Sequence, residues 1–272
     1  MLDARSSLPR YMTELLSEGR AVFTREEAIK ALGMTPHGFL KAAEREQHRK
    51  TLLNPRHGFY VVVPPHFLAW GGPPPTWYID DLMRHEDHAY YVGLLKAAEL
   101  HGATHQAVMA FQVVTNKRMP KIRAGRSIIS FIYRKDMAAV ANALMDHKTD
   151  TGHMKISSPE LTAFDLLRYS HVAGTINSIA TVLFDLGPKL KPEALATLAP
   201  AFERTVIQRL GYLLDFLRQS EAAAALHNHL QASKPLPWVE LEPNQRPAKT
   251  AKSVERNARW NVIVRRPPEL DE

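Results

Sequence analysis

Residues 24–63 restrict the possible fold more than any other stretch of this sequence. Thr24 and Glu27 have the spacing of a capping box, in which a hydroxyl and a carboxylate satisfy two free backbone N–H groups at a helix start. Gly33 then supplies the permissive residue that commonly ends a helix. The sequence therefore predicts a short helix that begins at about residue 25 and ends before a tight turn.

A second helix is predicted directly after this turn. Thr35 can cap it and Pro36 can occupy its first position, where a missing N–H costs nothing because that group would be unpaired anyway. The helical period would bury Phe39, Leu40 and Ala43. Four basic residues would then lie on the other side: His37, Lys41, Arg45 and His48. This charge pattern is typical of the recognition helix of a helix-turn-helix protein.

Residues 51–63 predict a β-hairpin next to this helix pair. Two β-rich runs flank residues 54–58, where Asn, Pro and Gly favour a turn. With an earlier helix over residues 9–17 and an extended segment over 21–23, the pattern predicts a winged helix-turn-helix. The alternative is a small helical domain with a hairpin that binds protein.

Eight residues are candidates for DNA contact if the winged-helix interpretation is right. Thr35, His37 and Lys41, near the start of the second helix, are expected to contact bases in the major groove. The others lie at the end of that helix or at the tip of the wing, where phosphate contacts fix the register without reading sequence. They are Arg45, Arg49, Lys50, Arg56 and His57.

The overall charge favours an anionic partner. The 272 residues carry a formal net charge of +7, with a pI near 9.6, but charge cannot choose between DNA, RNA and an acidic protein. The absence of cysteine excludes disulfides and thiol nucleophiles. No signal peptide or apolar membrane span is recognisable, so we expect a cytoplasmic protein with no membrane partner.

Composition also suggests where domains meet. Proline and glycine crowd into residues 64–77, which marks a linker. Aromatic residues within it suggest that it packs against a neighbour. We predict a DNA-binding domain over residues 1–63, this linker, and a C-terminal domain over residues 78–272, in an α+β chain whose second domain is mixed and rich in helices.

A basic stretch stands out in the second domain. Residues 110–115 and 127–133 are predicted strands, with a loop over 117–125 between them as in a hairpin. Seven cations and no Asp or Glu occur from residue 111 to 135: Lys117, Arg118, Lys121, Arg123, Arg126, Arg134 and Lys135. The loop could contact DNA phosphate, dock an acidic partner or remain solvated, and the sequence leaves all three open.

The rest of the second domain is predicted to be mainly helical. Expected helices include residues 89–101, 137–145, 175–186 and a long one over 193–217, with another starting at Pro159 and a short strand over 154–157. Short β-like runs at residues 238–241 and 261–264 are expected to complete the sheet, with a loop over 242–259.

No enzyme chemistry is recognisable. A metal-dependent nuclease needs carboxylates on its core strands, and the strands 110–115 and 127–133 contain none. His85, Glu86 and His88 lack the spacing of an HExxH zinc motif, and no phosphate-binding glycine loop is present. We therefore predict no catalytic residues, no metal ligands and no cofactor.

Several segments together resemble one family. These are the N-terminal pattern described above, YYVGLLKAAELHG (90–102), the strand pair with its basic loop, ISSPELTAFDLL (156–167), QRLGYLLDFL (208–217) and WNVIV (260–264). Their order and spacing resemble the AbiEi-type antitoxins of bacterial abortive-infection systems, over residues 10–265. The resemblance implies a repressor of its own operon that binds inverted repeats in double-stranded promoter DNA. It also implies a C-terminal domain that counteracts a nucleotidyltransferase-like toxin, without requiring a stable complex.

Two other functions remain open from the sequence. A winged-helix transcription regulator could use its second domain to sense a ligand or to form oligomers, and a nucleic-acid-processing enzyme would show metal-dependent cleavage. A nucleotidyltransferase gene next to the gene for this chain would favour an antitoxin, whereas a metabolic operon would favour the regulator.

Overall fold

A computed structural model of the chain describes residues 7–104, 108–231, 235–242 and 254–270. These residues form a mixed α+β fold with several separate sheets, which confirms the predicted α+β class. The chain divides into two compact units, each assembled from three stretches of sequence. The first unit is Met1–Tyr91, Met109–Lys135 and Asp146–Lys155, and the second is Val92–Val108, Asp136–Met145 and Ile156–Glu272.

The predicted boundaries after residues 63 and 77 do not coincide with these units. Those boundaries concern which part of the chain folds and works alone. Packing within one chain does not test that question, so the division into residues 1–63, 64–77 and 78–272 stays a prediction.

The first unit begins with three helices and a small antiparallel sheet. In chain order these elements are α1 (Leu8–Ser17), β1 (Val22–Thr24), α2 (Arg25–Leu32), α3 (Pro36–His48), β2 (Leu52–Arg56) and β3 (Phe59–Val62). The strand order is β1-β3-β2. Buried aromatic rings join α3 to this sheet, because Phe23 stacks on Tyr60 with centroids 5.4 Å apart and Phe39 meets Tyr60 edge-on at 5.3 Å.

The predicted helix ends are confirmed. The Thr24 hydroxyl accepts from the Glu27 N–H at 3.2 Å, while the Glu27 carboxylate accepts from the Thr24 N–H at 2.7 Å. Gly33 ends α2 in the left-handed conformation, with φ of 60°. Thr35 caps α3 by accepting from the Gly38 N–H at 3.1 Å, and Pro36 is the first helical residue.

One predicted core residue of α3 is wrong. Leu40 is 43% exposed, whereas the buried face consists of Phe39, Ala42, Ala43 and Glu46. Positions 39, 42, 43 and 46 follow the spacing of one helical face, and position 40 lies beside it. Leu40 is an apolar residue on the exposed surface of the helix.

The predicted linker is an ordered part of the first unit. It contains two short 3-10 helices, Pro65–Trp70 and Pro75–Trp77. Phe67 packs edge-on against Trp77 with centroids 5.1 Å apart. The Trp77 indole N–H donates to the Asp150 carboxylate at 2.9 Å, which agrees with the expectation that aromatic residues tie the segment to its surroundings.

Most residues of a six-stranded sheet also belong to the first unit, together with α4 (Ile79–His85). Its strands are β4 (Tyr90–Val92), β5 (Phe111–Thr115), β6 (Ile122–Ala124), β7 (Ser127–Tyr133), β8 (Leu144–Thr149) and β9 (Gly152–Ser157). Their order is β6-β7-β5-β4-β9-β8. The predicted helices over 89–101 and 137–145 are therefore partly wrong, since residues 90–92 and 144–145 are strand.

The predicted hairpin of two strands around a basic loop is also wrong. β5 and β7 are neighbours but run parallel, and β6 lies within the predicted loop and pairs antiparallel with β7. Two parallel strands cannot be joined by a tight turn. The true hairpin is the shorter β6–β7 pair, which turns at Gly125 with φ of 59°.

The second unit is mainly helical. Its helices are α5 (Leu94–Leu100), α6 (Pro159–Arg168), α7 (Ser170–Ala173), α8 (Ile176–Leu186), α9 (Pro192–Leu198), α10 (Arg204–Phe216) and α11 (Ser220–Gln231), with a 3-10 helix at Ala138–Ala143. The predicted single helix over 193–217 is broken, because residues 199–201 form a 3-10 turn containing Pro200 and the backbone at Phe202 is extended. Proline lacks the N–H that a continuous helix would use.

The second unit also contains a small three-stranded sheet. It contains β10 (Val239–Glu240), β11 (Glu255–Asn257) and β12 (Val262–Val264), in the order β10-β12-β11. The two predicted β runs thus pair in a sheet of their own and do not complete the larger one. Part of the predicted loop over 242–259 is strand β11, and residues 243–253 lie outside the described residues.

Candidate nucleic-acid interface

Helix α3 presents a basic surface in the first unit. His37, Lys41, Arg45 and His48 are all exposed, as the sequence predicted. The exposed acid of the helix, Glu44, lies 3.9 Å from the His48 ring. The cations at positions 41 and 45 form no ion pair within the described residues, so their charge is available to an anionic ligand.

The end of α3 is fixed by a buried carboxylate. Glu46 is 5% exposed, and its two carboxylate oxygens accept from Arg49 at 2.9 Å and from the Thr51 hydroxyl at 2.9 Å. Arg49 remains largely exposed, although part of its charge is neutralised by Glu46. Lys50 follows in the left-handed backbone conformation with φ of 61° and is exposed.

Thr35 has a structural role at the other end of the helix. Its hydroxyl oxygen is the cap acceptor for the Gly38 N–H, while its side chain is exposed. The hydroxyl hydrogen can still be donated outward, because accepting one hydrogen bond does not use it.

The turn between β2 and β3 is closed by a side chain. The Asn54 amide donates to the carbonyl of Arg56 at 2.7 Å and to that of Phe59 at 2.8 Å, and Gly58 takes the left-handed conformation. His57 is exposed at the tip, with its carbonyl 3.1 Å from the His85 Nε2.

Arg56 is the candidate residue whose surroundings differ most from the expectation. Its side chain is only 19% exposed, and its Nε lies 3.4 Å from the Glu86 carboxylate. Its Nη2 donates to the Pro120 carbonyl at 3.0 Å, and its guanidinium lies 5.7 Å from the centre of the Phe131 ring. These contacts connect the β2–β3 turn to residues 120–131. No pattern in the sequence pointed to Glu86 as the partner of Arg56.

The basic stretch of the first unit is largely exposed. Its five candidate residues are Lys117, Arg118, Lys121, Arg123 and Arg126, and none of them forms an ion pair within the described residues. Two of them lie over aromatic rings: Arg118 is 5.3 Å from the centre of Tyr133, and Arg126 is 5.6 Å from that of Trp70. Arg134 is only 2% exposed and does not contribute to this surface.

A close backbone contact positions this basic stretch. The Arg126 N–H donates to the Trp70 carbonyl at 3.1 Å. A Cβ atom at Gly125 would lie 2.5 Å from the carbonyl of Gly71, which is shorter than real contacts allow. Both residues have positive φ angles, 59° at Gly125 and 76° at Gly71. Glycine is therefore needed where the β6–β7 turn meets the segment after β3.

Two segments of the second unit that carried the family resemblance are in contact with each other. The Gln208 amide donates to the Trp260 carbonyl at 2.9 Å, and the Trp260 indole N–H donates to the Asp215 carboxylate at 2.6 Å. Trp260 is completely buried. The motif at 208–217, on α10, and the motif at 260–264, around the start of β12, therefore pack against each other.

The described residues offer neither a metal-binding cluster nor a membrane-spanning helix. No group of three or more His, Asp or Glu side chains is arranged to hold a metal ion there. Among the same residues, every helix falls short of the length and hydrophobicity that crossing a bilayer requires.

Comparison with known proteins finds a similar fold and a matching family model. No curated protein matches the chain. The chain is similar to the crystal structure of the RV2827C protein from Mycobacterium tuberculosis, with a TM-score of 0.71, 16% sequence identity, and coverage of 94% of this chain and 90% of that one. At this identity the likeness concerns the fold alone. Residues 91–216 match the family model described as the AbiEi antitoxin C-terminal domain. The chain thus carries a match to the AbiEi antitoxin C-terminal domain, which supports the family resemblance seen in its sequence motifs.

Proposed function

We propose that this chain is an antitoxin that represses its own operon by binding promoter DNA through residues 8–63, which act as a winged helix-turn-helix. The order of helices and strands in this segment supports the proposal, in which α2 and α3 are the helix pair and β2 and β3 are the wing. The observation that carries the proposal is the exposed basic face of α3, where Lys41 and Arg45 form no ion pair with any residue that the structure describes.

In this proposal α3 is the recognition helix. Thr35, His37 and Lys41 lie on its first turns and are exposed, as base-contacting residues of such a helix must be. Arg45, Arg49 and Lys50 lie towards its end and would bind phosphates, with His57 at the tip of the wing as a further contact. Phosphate contacts of this kind set register and affinity, whereas the base contacts set sequence preference.

The basic stretch is proposed as a second phosphate contact. Lys117, Arg118, Lys121, Arg123 and Arg126 are exposed and are not neutralised by carboxylates of the described residues. Arg56 joins the wing turn to this stretch through the Pro120 carbonyl. Its role in the proposal is to hold the two basic elements together, because its charge already faces Glu86.

The DNA-binding part can be tested by fluorescence anisotropy. The full chain is titrated against labelled DNA from its own upstream promoter and against a scrambled duplex, at two salt concentrations. We expect a preference for the promoter that persists at the higher salt, because base contacts do not depend on counterion release. Equal affinity for both duplexes that collapses with salt would contradict specific recognition.

A charge-matched pair of variants sharpens this test. Lys41→Ala removes a lysine from α3, whereas Lys148→Ala removes an exposed lysine from β8, far from α3 in the sequence. Both variants change the net charge equally. We expect only Lys41→Ala to lower the preference for the promoter.

The toxin part of the proposal is supported by the match to the AbiEi antitoxin C-terminal domain. We propose that the C-terminal domain counteracts a nucleotidyltransferase-like toxin in the cytoplasm, without enzymatic activity of its own and without the need for a stable complex. The test is co-expression with the product of a neighbouring nucleotidyltransferase gene. Growth arrest by that product alone, relieved by this chain, is the expected result, and arrest that persists would contradict the proposal.

A further inference from the structure

The second unit contains a cavity that the proposed function does not use. Its volume is about 260 Å³, and it lies between the end of α6, α7, the start of α8, α10 and the residues after β10. Four buried apolar side chains form much of its wall: Leu167, Ile176, Ile179 and Leu241.

Arg209 of α10 brings a positive charge to this cavity. Its Nε donates to the Glu240 carbonyl at 2.9 Å, which fixes the guanidinium in place. The Glu240 carboxylate is already paired with Arg265, at 2.5 and 3.0 Å. Burial lowers the pKa of Arg209.

The counter-ion of Arg209 is not supplied by the described part of the chain. No carboxylate of those residues lies within ion-pair distance of its guanidinium. The neighbouring stretch 243–253 contains no Asp or Glu in its sequence, so it has none to offer. Partial removal of a guanidinium from water without a counter-ion is unfavourable, and an anionic ligand would offset that cost.

The remaining features of the cavity select among anions. The planar guanidinium matches the geometry of carboxylate oxygens and of phosphate oxygens equally well. Glu242, however, also lines the cavity, where its carboxylate accepts from the Ile176 N–H at 3.3 Å. Its negative charge repels a doubly charged phosphate more than a singly charged carboxylate, and the apolar walls favour a ligand with an apolar body.

We propose that this cavity binds a small carboxylate with an apolar body. The carboxylate pairs with the Arg209 guanidinium, and the apolar part lies among Leu167, Ile176, Ile179 and Leu241. The site belongs to the second unit alone and does not depend on DNA binding or on the identity of the toxin.

The test is thermal unfolding of the full chain with three probes at constant ionic strength. Sodium isovalerate has the proposed chemistry, isoamyl alcohol has the same carbon skeleton without the charge, and inorganic phosphate has charge without the apolar body. We expect isovalerate to raise the unfolding temperature with saturation, as ligand binding to the folded state requires, and the other two to have little effect. Equal saturable stabilisation by phosphate or by the alcohol would overturn the proposal.

Variants locate the effect at Arg209. Arg209→Gln should abolish the saturable rise, while Arg204→Gln, an exposed residue on the same helix, should keep it. Glu242→Gln retains an acceptor for the Ile176 N–H and removes the repulsion, so it should tighten isovalerate binding several-fold. If Arg209→Gln does not fold, the tighter isovalerate binding expected of Glu242→Gln still tests the proposal. An unchanged or weaker affinity in that variant contradicts the assignment.

Discussion

The indole ring of Trp260 occupies the space that a side chain at position 211 would need. A Cβ atom on Gly211 would lie 2.0 Å from the Cζ3 of that ring. Gln208 and Asp215, about one turn to either side on α10, bind the backbone carbonyl and the indole N–H of the same tryptophan. Three residues of one helix thus hold Trp260, and one of the three contributes by having no side chain.

Gly211→Ala is therefore expected to destabilise the protein. In an exposed helix interior this change stabilises by about 1 kcal/mol, but here the added methyl group overpacks a buried site, which typically costs ~1–3 kcal/mol. Urea unfolding measures the change. In a Trp260→Leu background the same substitution should cost much less, and an equal cost in both backgrounds would show that the ring is not the cause.

Gly125 makes a similar prediction about a turn. Gly125→Ala places a Cβ both in a left-handed conformation and 2.5 Å from the Gly71 carbonyl. Gly19 has a comparable φ of 76° with nothing within 4 Å of its would-be Cβ, so Gly19→Ala carries the conformational cost alone. That cost is about 1–2 kcal/mol. We expect a larger loss of unfolding free energy at Gly125, and equal losses would contradict the close-contact explanation.

Lys41→Ala is expected to change which DNA is bound. Loss of a base contact removes ~1–3 kcal/mol of discrimination against the wrong base. The affinity ratio between the promoter and its single-base variants should therefore fall for variants at one base position and stay the same at the others. Anisotropy titrations over a panel of such variants measure this. Weakening by the same factor on every duplex would identify Lys41 as a phosphate contact instead.

Arg56→Ala distinguishes an anchoring residue from a phosphate contact. Removal of the side chain leaves Glu86 without its partner and the Pro120 carbonyl without its donor. We expect a loss of ~1–3 kcal/mol in unfolding free energy and no change in the slope of log Kd against log salt. A fall in that slope by about 0.9, the contribution of one phosphate, with unchanged stability, would support the role predicted from sequence.

Asp81→Asn gives a prediction for pH. Burial is the main cause that raises the pKa of the Asp81 carboxyl above its ordinary value, and Arg84 opposes it. The Asp81 carboxyl therefore binds its proton more tightly in the folded state than in the unfolded state. Its contribution to the free energy of unfolding falls as the pH rises from the pKa of the unfolded state through that of the folded state. Relative to Asp81→Asn, the wild type should lose unfolding free energy between about pH 4 and neutral pH. A constant difference across that range would contradict the shift. Asp136→Asn, at an exposed acid, provides a comparison.

Local signals in the sequence predicted local structure well. The capping box at Thr24 and Glu27, and the start of α3 at Thr35 and Pro36, depend on residues at most three positions apart. Such contacts exist whatever the rest of the chain does. The basic face of α3 was also predicted, because charged residues have few places to lie except the surface.

Contacts between distant residues could not be predicted in the same way. The parallel pairing of β5 with β7 depends on β6 taking the outer position, which composition does not reveal. Arg56 was predicted to contact phosphate from the wing tip. Its partner Glu86 lies thirty residues further along the chain, and no local pattern links the two. The cavity at Arg209 likewise combines side chains from residues 167 to 242, and no spacing along the chain predicts it.

The discontinuous make-up of the first unit has a consequence for biosynthesis. Its last stretch ends at Lys155, and β5, β6 and β7 lie in the stretch before it. A ribosome releases these segments long after α3 has emerged, so the unit cannot be complete until more than half of the chain has been made. A message truncated before codon 120 would yield α3 and the wing turn without the Pro120 carbonyl that binds Arg56. Only a message translated through codon 155 supplies every stretch of the first unit.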